Sequence, residues 1–547
     1  MYQDQTMYQL IKQVCNEYPN GRAIFYKGTF ISYKKFLKLI DESADVLYNV
    51  LGVRKGDVIL VSLPNLPDVL VLFYALNKIG AVCNLLHPLT PFNQSMSVIL
   101  KTNSKLAIVF EQRVAREIEK YREIQDKVYV VRAENYLPLF SKFIYHNFMN
   151  NKIRKKIGKT RKFEGFKYYH NLKPTGKEVP VDTEYTDLAV LLHSSSTTGE
   201  PKTVCLSDIP FNYIAEHTND YLSMKEGEAT GHMMLTVLPS FHGFGLEMSM
   251  HAPLVNKMGC VLIPKFSPKE VTKALNKTKW RVACGVPTMY DKLFHDDKFV
   301  NSKYFKDIYV CYCGGDLLTD TLREYIDSRF KSHGSKGVIR EGYGLAETVA
   351  VNIINTVSDF KEGSIGKAIP GTEIKIMNEN SEEVPNGTIG EIVVKSPANM
   401  MKYLKDKKTT SQVLKDGWLH TGDVGYKDDE GFFYFKSRTK RIVKVSGVTV
   451  FPPEVERLIE TIPNVKKACV IVIPDQKLGH VMKAIVVANF VDETQMRKTI
   501  IDTCSNYLVR WSVPKEIEFR DELPVTPFGK VNFRQLQDEE NKKRGIC

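Results

Sequence analysis

The alternation of short apolar runs with helical patterns constrains the fold of this 547-residue chain most strongly. Apolar runs of strand length occupy residues 57–63, 106–110 and 128–132, and a helical pattern begins at Pro67. A second series of the same kind runs from Met233 to Arg340. Strands that alternate with helices are typical of βαβ units and a largely parallel sheet. The sequence therefore predicts an α/β fold.

The pattern changes after about Pro370, where short strands are separated by turn signals at 385–387 and 428–431. These features predict a small β-rich subdomain. The residues from 445 to 547 combine a helical pattern at 452–462 with two apolar runs, which predicts a compact α+β unit.

Composition indicates a soluble globular protein, with 43% hydrophobic and 25% charged residues. The ten cysteines form no CxxC pair, which predicts reduced thiols and a cytoplasmic location. The amino terminus lacks the basic and apolar regions of a signal peptide. No run reaches the ~18 apolar residues of a spanning helix.

The net charge of +13 is concentrated in a basic insertion at about 142–167. Such a segment either contacts an anionic membrane peripherally or forms a solvated basic face. No nucleic-acid-binding module surrounds it, so we expect no nucleic-acid partner. The sequence leaves the oligomeric state open.

A hydroxyl-rich loop at 194–202, which reads SSSTTGEPK, follows the apolar run 188–192. Backbone N–H groups, hydroxyls and one lysine suit a loop that binds phosphate, although an ordinary polar loop has the same composition. It is not a Walker A loop. The only Gly-Lys-Thr sequence, at 158–160, has Ile153 where that motif requires glycine.

Three further loops follow predicted strands, at 239–245, 314–317 and 342–348. Ligands of open α/β sheets bind beyond the carboxyl ends of the strands. We therefore expect these loops and the hydroxyl-rich loop to converge on one site.

Five stretches occur in a fixed order along the chain. They are the hydroxyl-rich loop that ends in Pro201-Lys202, YGLAE at 343–347, TGD at 421–423, RTKRIVKVSG at 438–447 and PFGK at 527–530. Together they resemble the adenylate-forming superfamily, and within it the AMP-forming acyl-CoA synthetases. The resemblance covers essentially the whole chain.

The resemblance implies a large amino-terminal domain (1–436), a hinge (437–444) and a small mobile carboxyl-terminal lid (445–547). It implies that ATP and a carboxylic acid form an acyl-adenylate with the help of Mg²⁺. The thiol of coenzyme A would then take the acyl group. A carrier-protein thiol is the alternative acceptor.

The resemblance also assigns catalytic roles, each with a simpler alternative. Lys530 would reach the substrate carboxylate and the α-phosphate, or else is a surface residue. Glu347 would hold Mg²⁺, because a hard cation prefers carboxylate oxygen, or else begins a helix. His242 would lie near the substrate carboxylate, or else caps the next helix.

A larger set is assigned to ATP and AMP: Ser195, Ser196, Thr197, Thr198, Gly199, Lys202, Gly315, Asp316, Tyr343, Gly344, Asp423 and Arg438. Asp423 would accept both ribose hydroxyls, since an ionised carboxylate takes two donors. Tyr343 would stack on adenine, and Arg438 would contact the ribose or phosphates. The alternatives are a turn residue, a core tyrosine and a solvated arginine.

For the thiol step, Lys440 matches the hinge position of the family. Lys444 would approach the acyl-adenylate and Gly447 the thiol tunnel, although Ser446 and Gly447 also suit a hairpin turn. The residues expected to line the acyl pocket are His242, Gly243, Phe244, Gly245 and Leu345. No aspartate follows Phe241, which disfavours an amino acid. We expect a fatty acid, with an aryl acid as the alternative.

The chain departs from the family pattern at four positions. Ser196 and Thr203 replace glycines of the hydroxyl-rich loop, where a side chain could restrict φ or crowd the phosphates. Ala346 replaces a threonine, and Arg441 stands where an acidic residue is common. A catalytically weakened relative that only binds nucleotide or acyl groups is therefore a second hypothesis.

Overall fold

The structure is a computed structural model that describes residues 4–138, 165–193, 202–445, 448–475, 479–490, 492–525 and 531–546. Most of the basic insertion lies outside these residues. The described α-helices are Met7–Glu17, Tyr33–Asp45, Pro67–Lys78, Phe92–Thr102, Glu111–Arg116, Ile118–Arg122, Ile209–Glu216, Thr218–Leu222, Gly243–Leu246, Ala252–Val255, Pro268–Thr278, Pro287–Phe294, Asp297–Val300, Asp320–Ser332, Lys407–Val413, Pro452–Glu460, Glu493–Tyr507 and Phe533–Lys543.

Within the described residues, one sheet carries the strands on either side of the hydroxyl-rich loop. Its order is Lys402–Tyr403, Thr203–Leu206, Val190–His193, Val82–Leu85, Val58–Ser62, Leu106–Phe110, Val128–Val131 and Lys167–Tyr168. The strands from Val190–His193 onward pair in parallel. Thr203–Leu206 and Lys402–Tyr403 add antiparallel strands at one edge.

A second sheet carries the other three loops of the predicted site. Its described order is Lys367–Ala368, Val351–Ile354, Val338–Gly344, Val310–Cys313, Val282–Gly285, Met233–Thr236, Gly259–Leu262, Arg22–Tyr26 and Thr29–Ser32. The six strands from Val338–Gly344 to Arg22–Tyr26 pair in parallel, and antiparallel strands close both edges.

One apolar core joins the two sheets. The helix Pro67–Lys78 contributes to it and has buried residues on every face, as expected of a helix that is apolar all round. Asn65, just before this helix, donates to the carbonyl oxygen of Leu238 at 2.9 Å, beyond the end of a strand of the second sheet. The carboxyl ends of strands from both sheets are thereby held together.

The predicted β-rich subdomain is an antiparallel sheet of Glu373–Met377, Gly390–Lys395, Trp418–Lys427, Leu414–Lys415 and Phe433–Arg438. The carboxyl-terminal residues form an α+β unit with a described sheet of Val465–Asp475, Gly479–Ala488 and Glu516–Phe519. The short strands Val443–Val445 and Val448–Val450 pair antiparallel ahead of it. Lys436 of the subdomain contacts Glu454 of the carboxyl-terminal unit at 3.3 Å.

The predicted α/β architecture is confirmed, and most predicted elements fall within two residues of their observed bounds. The helix expected at 208–221 is two helices, Ile209–Glu216 and Thr218–Leu222. The hydroxyl of Thr218 donates to the carbonyl oxygen of Ala215, a bond that bends helices. The described cysteines are buried free thiols. Among the described helices, none combines the length and apolar character needed to cross a bilayer.

Candidate active site

Three of the four predicted loops meet at the carboxyl ends of the second sheet. A Cβ atom built on Gly243 would lie 1.7 Å from the carbonyl oxygen of Val349. One built on Gly314 would lie 3.1 Å from the carbonyl oxygen of Gly342 and 3.2 Å from the Phe244 ring. The backbones approach too closely for a side chain at Gly243, which explains the glycine there. The fourth loop, 194–201, lies outside the described residues.

His242 begins the short helix Gly243–Leu246. Its Nδ1 accepts a hydrogen bond from the backbone N–H of Phe244 at 3.3 Å, which is the capping geometry considered as its alternative role. The imidazole is nevertheless exposed, and the apolar Phe244 and Leu345 of the predicted pocket are half-buried at the edge of the core. A capping histidine at this place can also face a substrate, so the predicted contact with a carboxylate stays a prediction.

Gly315 and Asp316 follow the strand Val310–Cys313. Gly315 has φ +78°, a conformation that favours glycine. Asp316 is exposed, and its carboxylate accepts a bond from the N–H of Leu317 at 3.0 Å. Both residues are therefore accessible at the same strand ends as Phe244.

Tyr343, Asp423 and Arg438 form one polar group, although 80 residues separate the first two. The Tyr343 hydroxyl donates to Asp423 Oδ2 at 2.7 Å. Arg438 Nε lies 3.0 Å from Asp423 Oδ1, and the two residues face each other across paired strands. The charge of Asp423 raises the pKa of Arg438, and burial together with Asp423 raises that of Tyr343. The three residues predicted to bind adenosine are thus brought together.

The chemistry of this group is compatible with the predicted binding of a ribose. The Asp423 side chain is only 2% exposed, which fixes its orientation, whereas that of Arg438 is 50% exposed. Each carboxylate oxygen can accept more than one hydrogen bond, which is the chemistry that the predicted contact with ribose hydroxyls requires. The sequence predicted these residues, but not their mutual hydrogen bonds.

Glu347 belongs to a second polar group with Tyr403 and Lys202. The Tyr403 hydroxyl donates to Glu347 Oε1 at 2.7 Å, and Lys202 Nζ lies 4.7 Å from the centre of the Tyr403 ring. Burial and the charge of Glu347 raise the pKa of Tyr403, which therefore remains a donor. Tyr403 thus connects the predicted magnesium ligand with the predicted phosphate-binding lysine.

Sequence reasoning missed Tyr403. It lies 56 residues from Glu347, in a two-residue strand that pairs with Thr203–Leu206. An aromatic residue next to Lys402 carries no local signal of function. Only the pairing of these strands shows its position beside Lys202.

A strained turn follows Glu347. Val349 has φ 61° and ψ −61°, and the N–H of Ala350 donates to the carbonyl oxygen of Thr348 at 2.7 Å, which defines a γ-turn. This conformation is rare for a β-branched residue. Strain of this kind persists where packing holds it, and Val349 is buried against Gly243.

The residues of the predicted thiol step are only partly described. Lys444 is exposed on the strand Val443–Val445, and Lys440 lies in a short 3₁₀ helix, Thr439–Arg441. Gly447 lies outside the described residues, as does Lys530, the lysine predicted for adenylate formation.

Two of the four departures have a clear structural setting. Arg441 pairs with Glu456 at 2.6 Å and donates to the carbonyl oxygen of Val470 at 3.2 Å, so it stabilises the carboxyl-terminal unit. Thr203 is buried and bonds to His193. Ala346 begins the 3₁₀ helix that contains Glu347, and Ser196 lies outside the described residues.

The two polar groups and the converging loops define a nucleotide-binding α/β enzyme with a separate carboxyl-terminal domain. Residues 11–404 match the model of the AMP-binding enzyme family, and residues 454–530 match that of the AMP-binding enzyme C-terminal domain. The chain therefore belongs to the AMP-binding enzyme family, as the sequence motifs predicted.

Several relatives match over nearly the whole chain. A long-chain-fatty-acid–CoA ligase of Bacillus subtilis (strain 168) is 29% identical over 548 residues, covering 99% of this chain and 96% of the relative. A probable 4-coumarate–CoA ligase 3 of Dictyostelium discoideum is 29% identical over 514 residues, covering 90% of this chain and 88% of the relative.

Solved structures share the fold at lower identity. The anthranilate CoA ligase AuaEII in complex with anthranoyl-AMP gives a TM-score of 0.83 at 21% identity, covering 99% of this chain and 98% of that one. ATP-bound MatB from Rhodopseudomonas palustris gives a TM-score of 0.82 at 22% identity, covering 99% of this chain and 100% of that one. The chain thus shares the fold of these structures over nearly its whole length.

Proposed function

We propose that the protein is an ATP-dependent fatty-acid–CoA ligase. It would activate the acid as an acyl-adenylate, transfer the acyl group to coenzyme A, and release AMP and pyrophosphate. The observation that carries the proposal is the position of Tyr343 and Glu347 at the two ends of one loop. Tyr343 contacts the predicted ribose residues, and Glu347 contacts Tyr403 beside Lys202.

In the first step, a carboxylate oxygen of the acid attacks the α-phosphorus of ATP, and the bond to the β-phosphate oxygen breaks. Both reactants are anionic, so the site must supply positive charge and fixed geometry. Lys202 would offset the phosphate charge together with the hydroxyl-rich loop, and Lys530 would contact the reacting oxygens. Asp423 and Arg438 would hold the ribose, with Tyr343 against the adenine.

The carboxylate of Glu347 fits Mg²⁺. It is half-buried, one of its oxygens accepts the Tyr403 bond, and carboxylate oxygen is a preferred ligand of this ion. Bound Mg²⁺ would neutralise phosphate charge as pyrophosphate leaves. Tyr403 would keep the carboxylate oriented toward that ion.

In the second step, the thiol sulfur attacks the carbonyl carbon of the adenylate. The bond from that carbon to the phosphate oxygen breaks, AMP leaves, and the thiol proton passes to solvent. We propose that the lid (445–547) reorients about the hinge (437–444) between the steps, with Lys440 absorbing the backbone change. Lys444 and Gly447 would then face the adenylate.

A fatty acid is favoured by the half-buried apolar side chains of Phe244 and Leu345 in the predicted pocket, and by a fatty-acid–CoA ligase that matches nearly the whole chain. The match to a probable 4-coumarate–CoA ligase supports an aryl acid as the second candidate. Transfer to a carrier protein, a catalytically weakened relative, and contact of 142–167 with a membrane remain predictions.

ATP–pyrophosphate exchange over a panel of fatty and aryl acids tests the proposal, followed by AMP release with and without coenzyme A. We expect exchange with fatty acids and AMP release that rises with coenzyme A. Lys530→Ala should nearly eliminate exchange while ATP still binds, because the lysine acts on the reacting oxygens. Exchange without a coenzyme A effect would indicate a carrier-protein acceptor. No exchange with any acid would refute the ligase.

A further inference from the structure

A chain of hydrogen bonds joins the two strands that lie on either side of residues 194–202. His193 ends one strand and Thr203 begins the next, and the two residues face each other in register. The Thr203 hydroxyl lies 3.2 Å from His193 Nδ1, and His193 Nε2 lies 2.7 Å from Asn84 Oδ1. The strands on either side of residues 194–202 are therefore joined by a pair of bonded side chains.

The buried end of this chain fixes the direction of its hydrogen bonds. The hydroxyl of Thr102 donates to the carbonyl oxygen of Val98 at 2.7 Å, so it can only accept from Asn84 Nδ2 at 3.0 Å. The same NH₂ group donates to Ser104 at 3.2 Å. The amide oxygen of Asn84 therefore faces His193 as an acceptor.

His193 must then carry its hydrogen on Nε2. Burial lowers the pKa of His193 to about 4, so the ring is neutral near pH 7 and Nδ1 is free to accept. The hydroxyl of Thr203 is the donor to Nδ1. Every polar group from Asn84 to Thr203 thus has a partner, and a fully satisfied buried network holds its members in place.

Thr203 is also connected to both Lys202 and Tyr403 of the second polar group. Lys202 precedes it, with its ammonium above the Tyr403 ring. The carbonyl oxygen of Thr203 accepts from the N–H of Leu404 at 2.8 Å, which fixes the strand that contains Tyr403. Thr203 is 1% exposed, and its side chain is directed to His193 on the neighbouring strand.

We propose that Thr203 and His193 are positioning residues for Lys202, the predicted phosphate-binding lysine. Their bond between paired strands would fix the backbone of Lys202, which directly precedes Thr203. The Thr203 side chain, bonded to His193 where the family usually has glycine, would therefore not crowd the phosphates. This inference rests on the proposed contact of Lys202 with the phosphates of ATP.

Thr203→Val tests the inference, because valine keeps the shape and removes the donor. We expect the KM and the dissociation constant for ATP to rise roughly tenfold, as befits a buried acceptor left without its partner. The KM for the acid and kcat should change by less than about twofold, since bound nucleotide still reacts. Thr203→Ser keeps the hydroxyl and should restore ATP binding.

Thr278→Val is a matched control. Thr278 is 5% exposed, and its hydroxyl donates to the carbonyl oxygen of Ala274 at 2.8 Å, on the helix Pro268–Thr278. The control should lose stability without any change in ATP affinity. Equal ATP affinity in Thr203→Val and wild type, with lowered stability in both valine variants, would overturn the inference.

Thr203→Gly separates the inference from the hypothesis that Thr203 crowds the phosphates, because the two expect opposite changes in ATP affinity. Weaker ATP binding supports positioning, whereas tighter binding overturns it. If the Thr203 variants fail to fold, His193→Phe removes the same acceptor and should weaken ATP binding similarly.

The dissociation constant for ATP is measured by calorimetry without any acid. A wild-type protein that binds ATP but exchanges no pyrophosphate would refute the ligase. The ratio of the ATP dissociation constants of variant and wild type would then still decide the inference. A wild type that does not bind ATP would refute both proposals.

Discussion

The hydroxyl of Tyr403 offers a sharp test of the site. It donates to Glu347 at 2.7 Å, and the Tyr403 side chain is 5% exposed. Tyr403→Phe removes this one donor and keeps the ring 4.7 Å below Lys202, so the cation–π contact survives. The variant therefore isolates the hydrogen bond to the predicted magnesium ligand.

A hydrogen bond to a charged group contributes about 1.5–3 kcal/mol. If the bond orients Glu347 for Mg²⁺ in the transition state, its loss should lower kcat/KM for MgATP by roughly 10- to 150-fold. The Mg²⁺ concentration for half-maximal exchange should also rise. Pyrophosphate exchange over a Mg²⁺ titration measures both effects.

Tyr434→Phe is the matched control. Tyr434 donates to Asp428 Oδ2 at 3.1 Å in the β-rich subdomain, so the same tyrosine–carboxylate bond is removed away from the loops of the site. Its activity should match that of wild type. Wild-type kinetics and Mg²⁺ dependence in Tyr403→Phe would refute the assigned role of Tyr403.

Two further predictions address packing and pH. Gly243→Ala should destabilise the fold by about 1–3 kcal/mol and abolish most activity, because its Cβ would meet the Val349 carbonyl oxygen at 1.7 Å. Gly342→Ala is the control and should be tolerated, because its Cβ would lie 3.4 Å from its nearest neighbour. Equal melting temperatures for the two alanine variants would contradict the argument. Burial raises the pKa of Glu341 to about 8. Between about pH 4.5 and 8 the folded state therefore keeps a proton that the unfolded chain loses. Because of this difference, the free energy of unfolding falls as pH rises through that range. Glu341→Gln should therefore stabilise the protein relative to wild type more at pH 8 than at pH 5 in thermal unfolding, and parallel curves would refute this.

The sequence predicted that two residues lie close together only where each of them belongs to a recognisable motif. Asp423 and Arg438 were assigned to one ligand from two separate motifs, and the structure places them 3.0 Å apart. Their bond to each other was not predicted, because motifs define residue types and order but not distances. Tyr403 had no motif and was therefore missed.

The sequence by itself determined the elements and their class. The strand Leu106–Phe110 and the helix that begins at Pro67 have their predicted starts, because apolar periodicity and proline at the first helical turn are local signals. The same local signals distinguished the parallel sheets from the later β-rich subdomain.

Only the tertiary structure decided which of these residues meet. The pairing of Lys402–Tyr403 with Thr203–Leu206 places Tyr403 between Lys202 and Glu347. The buried network from Asn84 orients Thr203 toward His193 on the neighbouring strand. The strained turn at Val349 is likewise held by packing against Gly243. Such contacts join residues far apart in the chain, and their geometry follows from strand register and close packing, which no local pattern records.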